Sequence, residues 1–451
     1  MNTLCHIDDF GPLPVVRPRT IADLGELVRR AAAENQALYP IGGRTLLDVG
    51  LPPARPGMAV DVRALAQVID YPARDMTITV QAGITVAQLQ ALLATEKQRL
   101  PIDVPRAEQA TLGGVLAVNV SGPRRLGFGT LRDYVIGIST VNDEGQEVKA
   151  GGRVVKNVAG YDLCKLHIGA LGTLGIISQV TLKLRPVPES KTLVTLGCET
   201  AVLDRLLDRL HATRTRPVCL DLLNQSAVRS MVRGLRIRAS GQNFLSGGRQ
   251  PPETSEAQGA YAPRSGFCPL ALSLPEAPWV IVAGFEDNSD AVDWQVRQLL
   301  EELAPGDIQG LEARAGGASD PLWMALVESP ASGECLTFKA NLLPGALAEF
   351  CRRAATLPEP MRLHAHAGSG IVYGHLDGDL TLPRVAAMLK ELTDAAVRAE
   401  GNLVVPRCSV EWKRELPVWG RERGDFWLMR QVKDKLDPRH LFNPGRFLAG
   451  I

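Results

Sequence analysis

Clustered cysteines are missing from this chain. Its eight (Cys5, Cys164, Cys198, Cys219, Cys268, Cys335, Cys351 and Cys408) are scattered, with no C-x-x-C, whereas iron–sulfur and structural zinc sites need thiolates close together. An excess of charge is missing too. Lys and Arg balance Asp and Glu to a net +1, which argues against a polyanion-binding surface and hence against nucleic acid as a partner. No apolar run reaches membrane-spanning length, and "MNTLCHIDDFGPLP" has no basic-then-apolar signal pattern. A cytoplasmic protein is the expectation, with most cysteines reduced core residues and no disulfide framework. No G-x-G-x-x-G stands between a strand and a helix, and no G-x-x-x-x-G-K-[ST] occurs, which removes the Rossmann and P-loop readings of its glycines.

What is present begins with length. At 451 residues the chain exceeds the size at which one core stops growing, so two or three domains are expected. Thr20 precedes apolar residues at helical spacing (Ile21, Leu24, Leu27, Val28), and Thr85 opens a second helical pattern. "ALYPI" reads as a strand running into Gly42-Gly43, and Asp143-Glu144-Gly145 as the turn of a hairpin. From 191 to 405 strands and helices alternate in a way that suggests an α+β domain with an antiparallel sheet covered by helices. Residues 239–268, rich in Gly, Ser and Pro, read as a long surface loop. A last helix near 424–436 precedes "DPRHLFNPGRF", giving an expected division into 1–190, 191–405 and 406–451.

Glycines concentrate in the first part: Gly42-Gly43-Arg44-Thr45, Thr111-Leu112-Gly113-Gly114 with Ser121-Gly122, and the run Gly169, Gly172, Gly175 before a strand. Successive backbone N–H groups in a tight turn form an anion-binding nest that can hold a pyrophosphate without a helix dipole. One Gly-Gly after a strand is usually only a turn. Three such stretches in one domain suggest a large flat cofactor that the backbone approaches closely at several places.

The motifs "PIGGRT" (40–45), "TLGG" (111–114), "NVSG" (119–122), "GFGTLRD" (127–133), "GALGTLGIISQVTLKL" (169–184) and "LDPRHLFNPGRF" (436–447) resemble those of the vanillyl-alcohol oxidase/p-cresol methylhydroxylase superfamily. Within it, "GPRRLGFGTLRDYVIG", "GGRVVKNVAGYDLCKL" and the tail resemble the FAD-binding E subunits of bacterial glycolate oxidases. The resemblance implies a two-subdomain PCMH-type FAD-binding domain followed by an α+β cap. It also implies FAD, with the pyrophosphate on Pro40, Gly42, Gly43, Arg44, Thr45 and the turn Thr111, Leu112, Gly113, Gly114. Asn119, Ser121, Gly122 and Gly127 would lie along the flavin, and Ile176 and Ile177 near the adenine end or ribityl chain. Asp48, Thr130, Asp133, Gly172 and Gly175 sit within the same motifs. Lys156, Asn157, Gly160 and Tyr161 fall in the stretch shared with the E subunits, and Asn443 in a turn that folds back onto the flavin. The glycine loop holds no His to attach FAD covalently, so noncovalent FAD is expected.

Oxidising a 2-hydroxy acid on a flavin needs a cation for the carboxylate and a group to take the hydroxyl proton. "RLHAHAGSGIVYGH" (362–375) resembles a worn form of the "G-H-x-G-D-G-N-x-H" metal segment of related dehydrogenases. His366 keeps the first His position, Ser369 replaces the Asp and Tyr373 the second His, while His364 and His366 would share one strand face. No metal is expected. His366, Tyr373 and Lys339 are the catalytic candidates, although Lys339 and Arg407 read as surface or structural charges. An intact flavin site with eroded substrate residues implies a subunit working beside a catalytic FAD subunit and an iron–sulfur subunit. Such a complex would oxidise a small 2-hydroxy acid and meet the membrane only through its partners. Two alternatives stand: a self-sufficient oxidase of another alcohol, and a scaffold that lost its flavin.

Overall fold

The computed structural model describes residues 4–152, 161–239, 274–303, 305–331 and 335–451. The expected loop at 239–268 lies outside the described residues except at its first position, as do Lys156, Asn157 and Gly160.

Three large sheets and one two-stranded pair (Gln98–Arg99 with Arg185–Pro186) organise the described residues. The first has strands β1 (Leu4–Ile7), β2 (Phe10–Val16), β3 (Ala37–Ile41) and β4 (Gly57–Asp61) in the order β1-β2-β4-β3. Its parallel pairs β2–β4 and β3–β4 require a crossover, which helix α1 (Ile21–Ala33) supplies between β2 and β3. Thr20 caps α1 in a reciprocal box with Asp23, satisfying two otherwise open amides. Its Leu24, Leu27 and Val28 are buried on the sheet.

The second sheet is antiparallel and holds β5 (Val68–Asp70), β6 (Thr77–Gln81), β7 (Val135–Val141), β8 (Glu147–Gly151) and β9 (Ile176–Lys183), in the order β5-β6-β9-β7-β8. Gly145 makes the β7–β8 turn at φ +70, as its place in "DEG" implies. Helix α2 (Val86–Thr95), boxed by Thr85 and Gln88, and helix α3 (Leu112–Val118) pack against this sheet.

The third sheet is antiparallel with eight strands: β10 (Ser190–Cys198), β11 (Cys219–Asn224), β12 (Trp279–Asp287), β13 (Gln309–Ala315), β14 (Leu336–Asn341), β15 (Arg362–His366), β16 (Ile371–Leu376) and β17 (Asn402–Arg407). Their order is β13-β10-β12-β11-β15-β16-β14-β17. The expected α+β class with a helix-covered antiparallel sheet is what forms. The strand alternation sorts the faces of its second half. Leu336, Phe338, Ala340, Leu363, Ala365, Val372 and Leu376 enter the helix-covered core. Thr337, Lys339, His364, His366, Tyr373 and His375 stand on the opposite face, because successive residues of a strand point to opposite sides.

That polar face turns toward the first two sheets. Arg124 fastens the junction: it bonds Asp103 (2.6 Å) on its own side and Glu286 of β12 (2.7 Å) across it, lies 3.9 Å over the Trp323 ring, and shares Glu286 with Arg99 (2.6 Å). A buried cation with two carboxylates and an aromatic face is satisfied on every side.

Candidate functional site

Two cavities share Leu46, Val49, Val118 and Leu171 as walls and so lie side by side. The first lies between the glycine loop after β3 and the N-terminal end of α3. Pro40, Gly42, Gly43, Arg44, Thr45, Thr111 and Gly114 line it. Gly42 and Gly43 are there because nothing larger fits: a Cβ on Gly42 would overlap the Thr111 hydroxyl, and one on Gly43 the Gln109 carbonyl. Arg44 adopts the left-handed conformation at φ +58, the kind of turn in which successive amides can form an anion-binding nest. No carboxylate stands among the described residues of this wall, while Arg44 and Arg446 bring positive charge. The Thr111 hydroxyl is buried without a hydrogen-bond partner.

The second cavity lies between the domains. Asn119, Ser121, Gly169, Leu46 and Val118 form one side, and Thr337, Lys339, Tyr373, Val404 and Trp419 the other. Asn119 ends α3 at φ 58, and its carboxamide oxygen is buried with no partner. Buried polar atoms are normally bonded. A hydroxyl left over beside a cationic, glycine-lined recess and a carbonyl oxygen left over in the cavity beside it fit the two ends of a dinucleotide: a donor for a phosphate and an acceptor for a sugar hydroxyl or ring N–H. FAD fits the residues present on these terms.

A C-terminal segment closes the first cavity. Helix α4 (Phe426–Leu436) presents a fully buried Lys433, whose ammonium donates to Asp437 (2.5 Å) and to the carbonyls of Thr173 (2.7 Å) and Phe442 (3.0 Å). Asp437 also accepts from the amides of Leu441 and Phe442, each at 2.9 Å. The chain then runs beside β3, where the Leu38 amide donates to the Leu441 carbonyl (2.7 Å) and the Leu38 carbonyl accepts from the Asn443 amide (2.9 Å). The Asn443 side chain donates to the Leu171 carbonyl (2.5 Å), and Arg446 to those of Leu47 and Val49 (2.7 and 2.8 Å). Asn443 thus lines the glycine-loop cavity, at φ 44.

Other expected residues lie outside both cavities. Gly127 packs on Val218, whose carbonyl accepts its amide (3.2 Å). The Thr130 amide and hydroxyl both donate to Asp133, a local cap. Leu112 is core, and a Cβ on Gly113 would press on Ala82. Gly122 abuts Asp103, and Gly172 (φ +66) and Gly175 (φ +139) shape the turns before β9. Ile176 and Ile177 are buried in two different cores. Tyr161 is 96% exposed. Asp48 is held by Arg407, which is therefore no loose surface charge.

On the cap side, Lys339 is half-buried in the cavity wall rather than solvated. Burial, then the Arg125 cation, pulls its pKa down to about 8. Its ammonium lies 5.9 Å from the centre of the Tyr373 ring. Burial pushes the Tyr373 phenol up to about 12, so it stays protonated. His366 lies behind Tyr373, with ring centres 5.7 Å apart, and is absent from the wall. Its Nδ1 meets Asp221 Oδ1 at 2.9 Å, and His364 Nε2 meets Asp221 Oδ2 at 2.7 Å. All three are buried, and their ligand-type atoms lie within 4.8 Å of one another. The spacing would suit an ion; each carboxylate oxygen is matched to one imidazole, while Nδ1 of His364 and Nε2 of His366 are buried without a hydrogen-bond partner. Asp221 is held far below the usual carboxylate range because both imidazoles offset its burial. Asp221 and Thr337 fall in no local motif, and Arg124 and Arg446 lie within quoted motifs that do not single them out, since their partners are distant in sequence.

Comparison with known proteins agrees with this geometry. Residues 12–151 match the family model described as "FAD binding domain". Glycolate oxidase subunit GlcD of Bacillus subtilis is 25% identical over 443 residues, covering 97% of this chain and 89% of that protein. Glycolate oxidase subunit GlcE of Escherichia coli is 34% identical over 166 residues, 37% of this chain and 47% of that one. The crystal structure of p-cresol methylhydroxylase with substrate bound superposes with a TM-score of 0.67 at 14% identity, over 96% of this chain and 88% of that one. Residues 12–151 are an FAD binding domain on a fold of the p-cresol methylhydroxylase type, and FAD is the cofactor of this chain.

Proposed function

We propose that this chain is an E-type FAD subunit of a glycolate oxidase complex. It works with a catalytic FAD subunit and an iron–sulfur subunit to oxidise glycolate or a similar small 2-hydroxy acid to the 2-oxo acid. The chain is an FAD-dependent oxidoreductase, and the observation that carries the substrate class is the pairing of Lys339 with Tyr373 in the interdomain wall. Bound FAD supplies the two-electron acceptor for the C–H hydrogen. Lys339, charged at neutral pH, holds the substrate carboxylate. Tyr373, kept protonated, donates to the oxygen on C2 and steadies it as it becomes a carbonyl. The surrounding Val404, Pro330 and Trp419 exclude water from that contact. In this reading Gly42–Thr45 and Thr111–Gly114 hold the pyrophosphate, Asn119 and Ser121 flank the flavin, and Asn443 closes the dinucleotide end. FAD is noncovalent, no metal takes part, and the chain is cytoplasmic, reaching the membrane surface through its partners.

The motif-level likeness to the E subunits supports the subunit assignment. A second reading, a self-sufficient dehydrogenase of another hydroxy acid, is favoured by the end-to-end match to GlcD. The absorption spectrum of the purified chain, taken before and after anaerobic glycolate, separates them. The expected result is a yellow protein that releases all its flavin on denaturation and bleaches fully only when partners are added. Complete bleaching of the lone chain selects the second reading. A chain that stays colourless with added FAD refutes both.

A further inference from the structure

Oxidising an alcohol releases its hydroxyl proton, and the groups nearest that position are poorly placed to carry it away. The Tyr373 phenol is already protonated at neutral pH, Lys339 is engaged by the carboxylate, and His366 is bonded to Asp221 behind the wall. One neighbour differs. Thr337 lines the interdomain cavity, and its hydroxyl lies 3.0 Å from Nδ1 of His375 on the adjoining strand. His375 is 1% exposed, and its Nε2 is buried without a hydrogen-bond partner. The same residue forms part of the wall of another cavity, beside Ser230, Gly234 and Arg362. That cavity opens at the exposed Gly234, where an added Cβ would meet nothing within 4 Å.

We propose that Thr337 and His375 form a proton relay from the interdomain cavity to this outer cavity. The proposal rests on the reading of the chain as a 2-hydroxy-acid oxidoreductase. The substrate O–H bond breaks as its proton passes to Oγ of Thr337, and the Thr337 proton passes to Nδ1 of His375. The proton on Nε2 leaves to solvent in the outer cavity. The electron pair of the C–H bond goes with its hydrogen to FAD, leaving the C=O bond. A relay needs a neutral ring with one lone pair and one N–H, and the surroundings enforce that state. Burial first, then the charges of Arg362, His364 and Arg407, hold the His375 pKa at about 3, while Thr337 and the stacked Tyr373 ring (6.5 Å between centres) flank the imidazole. Thr337 is the catalytic member, and His375 acts through it.

The test is anaerobic rapid mixing of the FAD-loaded protein, with its partners where they are required, against glycolate. Flavin absorbance and a pH-indicator dye are followed together. Thr337→Val and His375→Ala should each slow bleaching and proton release together by about a hundredfold or more, the low side of general acid–base effects. FAD content and affinity for non-oxidisable oxalate should be unchanged. Thr337→Ser keeps the hydroxyl and should stay within about threefold of wild type, because the relay chemistry is retained. Imidazole added to His375→Ala should restore the rate in proportion to its concentration. Wild-type bleaching in Thr337→Val, or a slow His375→Ala that imidazole does not rescue, overturns the relay while leaving the oxidation intact. A wild-type protein that no 2-hydroxy acid bleaches overturns the oxidation reading, and the relay with it.

Discussion

Raising the pH from 7 to 9 should weaken carboxylate binding about tenfold. The reason is the position of Lys339, whose pKa burial and Arg125 lower to about 8. A lowered lysine pKa means that charge is lost on the alkaline side while an ordinary lysine is still charged. If only the ammonium binds a carboxylate, the apparent Kd is multiplied by 1 + 10^(pH − pKa). Between pH 7 and 9 that factor rises from about 1.1 to about 11, roughly 1.4 kcal/mol. A lysine at 10.5 would change Kd by only about 3% over the same range. The assay is titration of the FAD-loaded protein with oxalate, read from the flavin band at pH 7, 8 and 9. Lys339→Arg, whose cation does not titrate here, should abolish the dependence. A wild-type change below twofold, or an equal change in Lys339→Arg, refutes the placement of the substrate carboxylate.

Two further outcomes follow from the cofactor end. Gly43→Ala drives a methyl into the Gln109 backbone, which cannot swing aside as a side chain would. The Thr111 turn must retreat, at a cost of about 1–3 kcal/mol, and the purified variant should retain little FAD; wild-type affinity measured by fluorescence titration would contradict this. Lys433→Met leaves Asp437 buried opposite no cation, which should cost about 3–5 kcal/mol. The denaturation midpoint should fall accordingly, and the double variant with Asp437→Asn should recover part of the loss; an unchanged midpoint in the single variant would show that the clamp holds nothing.

The glycine loop was legible in sequence because its constraints are local. Gly42 and Gly43 follow a strand directly, and their need for space is visible as two adjacent glycines. Thr20 and Thr85 announce their helices for the same reason. Lys339 was legible as a candidate, while its reading as a surface or structural charge missed its place in the cavity wall. In "LTFKAN" the apolar Leu336, Phe338 and Ala340 alternate with Thr337 and Lys339, so Lys339 had to share a face with Thr337 opposite the core, and "RLHAH" repeats the pattern. What strand alternation cannot say is whether the polar face meets solvent or another domain. Asp221 was invisible, since its partners His364 and His366 lie 143 and 145 positions away. Gly127 lines neither cavity, and its contact with Val218 could not be read from its motif because that partner is distant in sequence. Long-range pairing fixed what local pattern could not.

The segment that reaches β3 after Asp437 sets an order of events during synthesis. One wall of the glycine-loop cavity is made by residues 40–49 and 111–118, another by Asn443 and Arg446. A ribosome that has released the first two sheets has released an unfinished container. Until residue 446 emerges, the carbonyls of Leu47 and Val49 lack the guanidinium that orders them. With FAD held in this cavity as proposed, loading is a late step, and a copy interrupted before residue 443 should purify colourless.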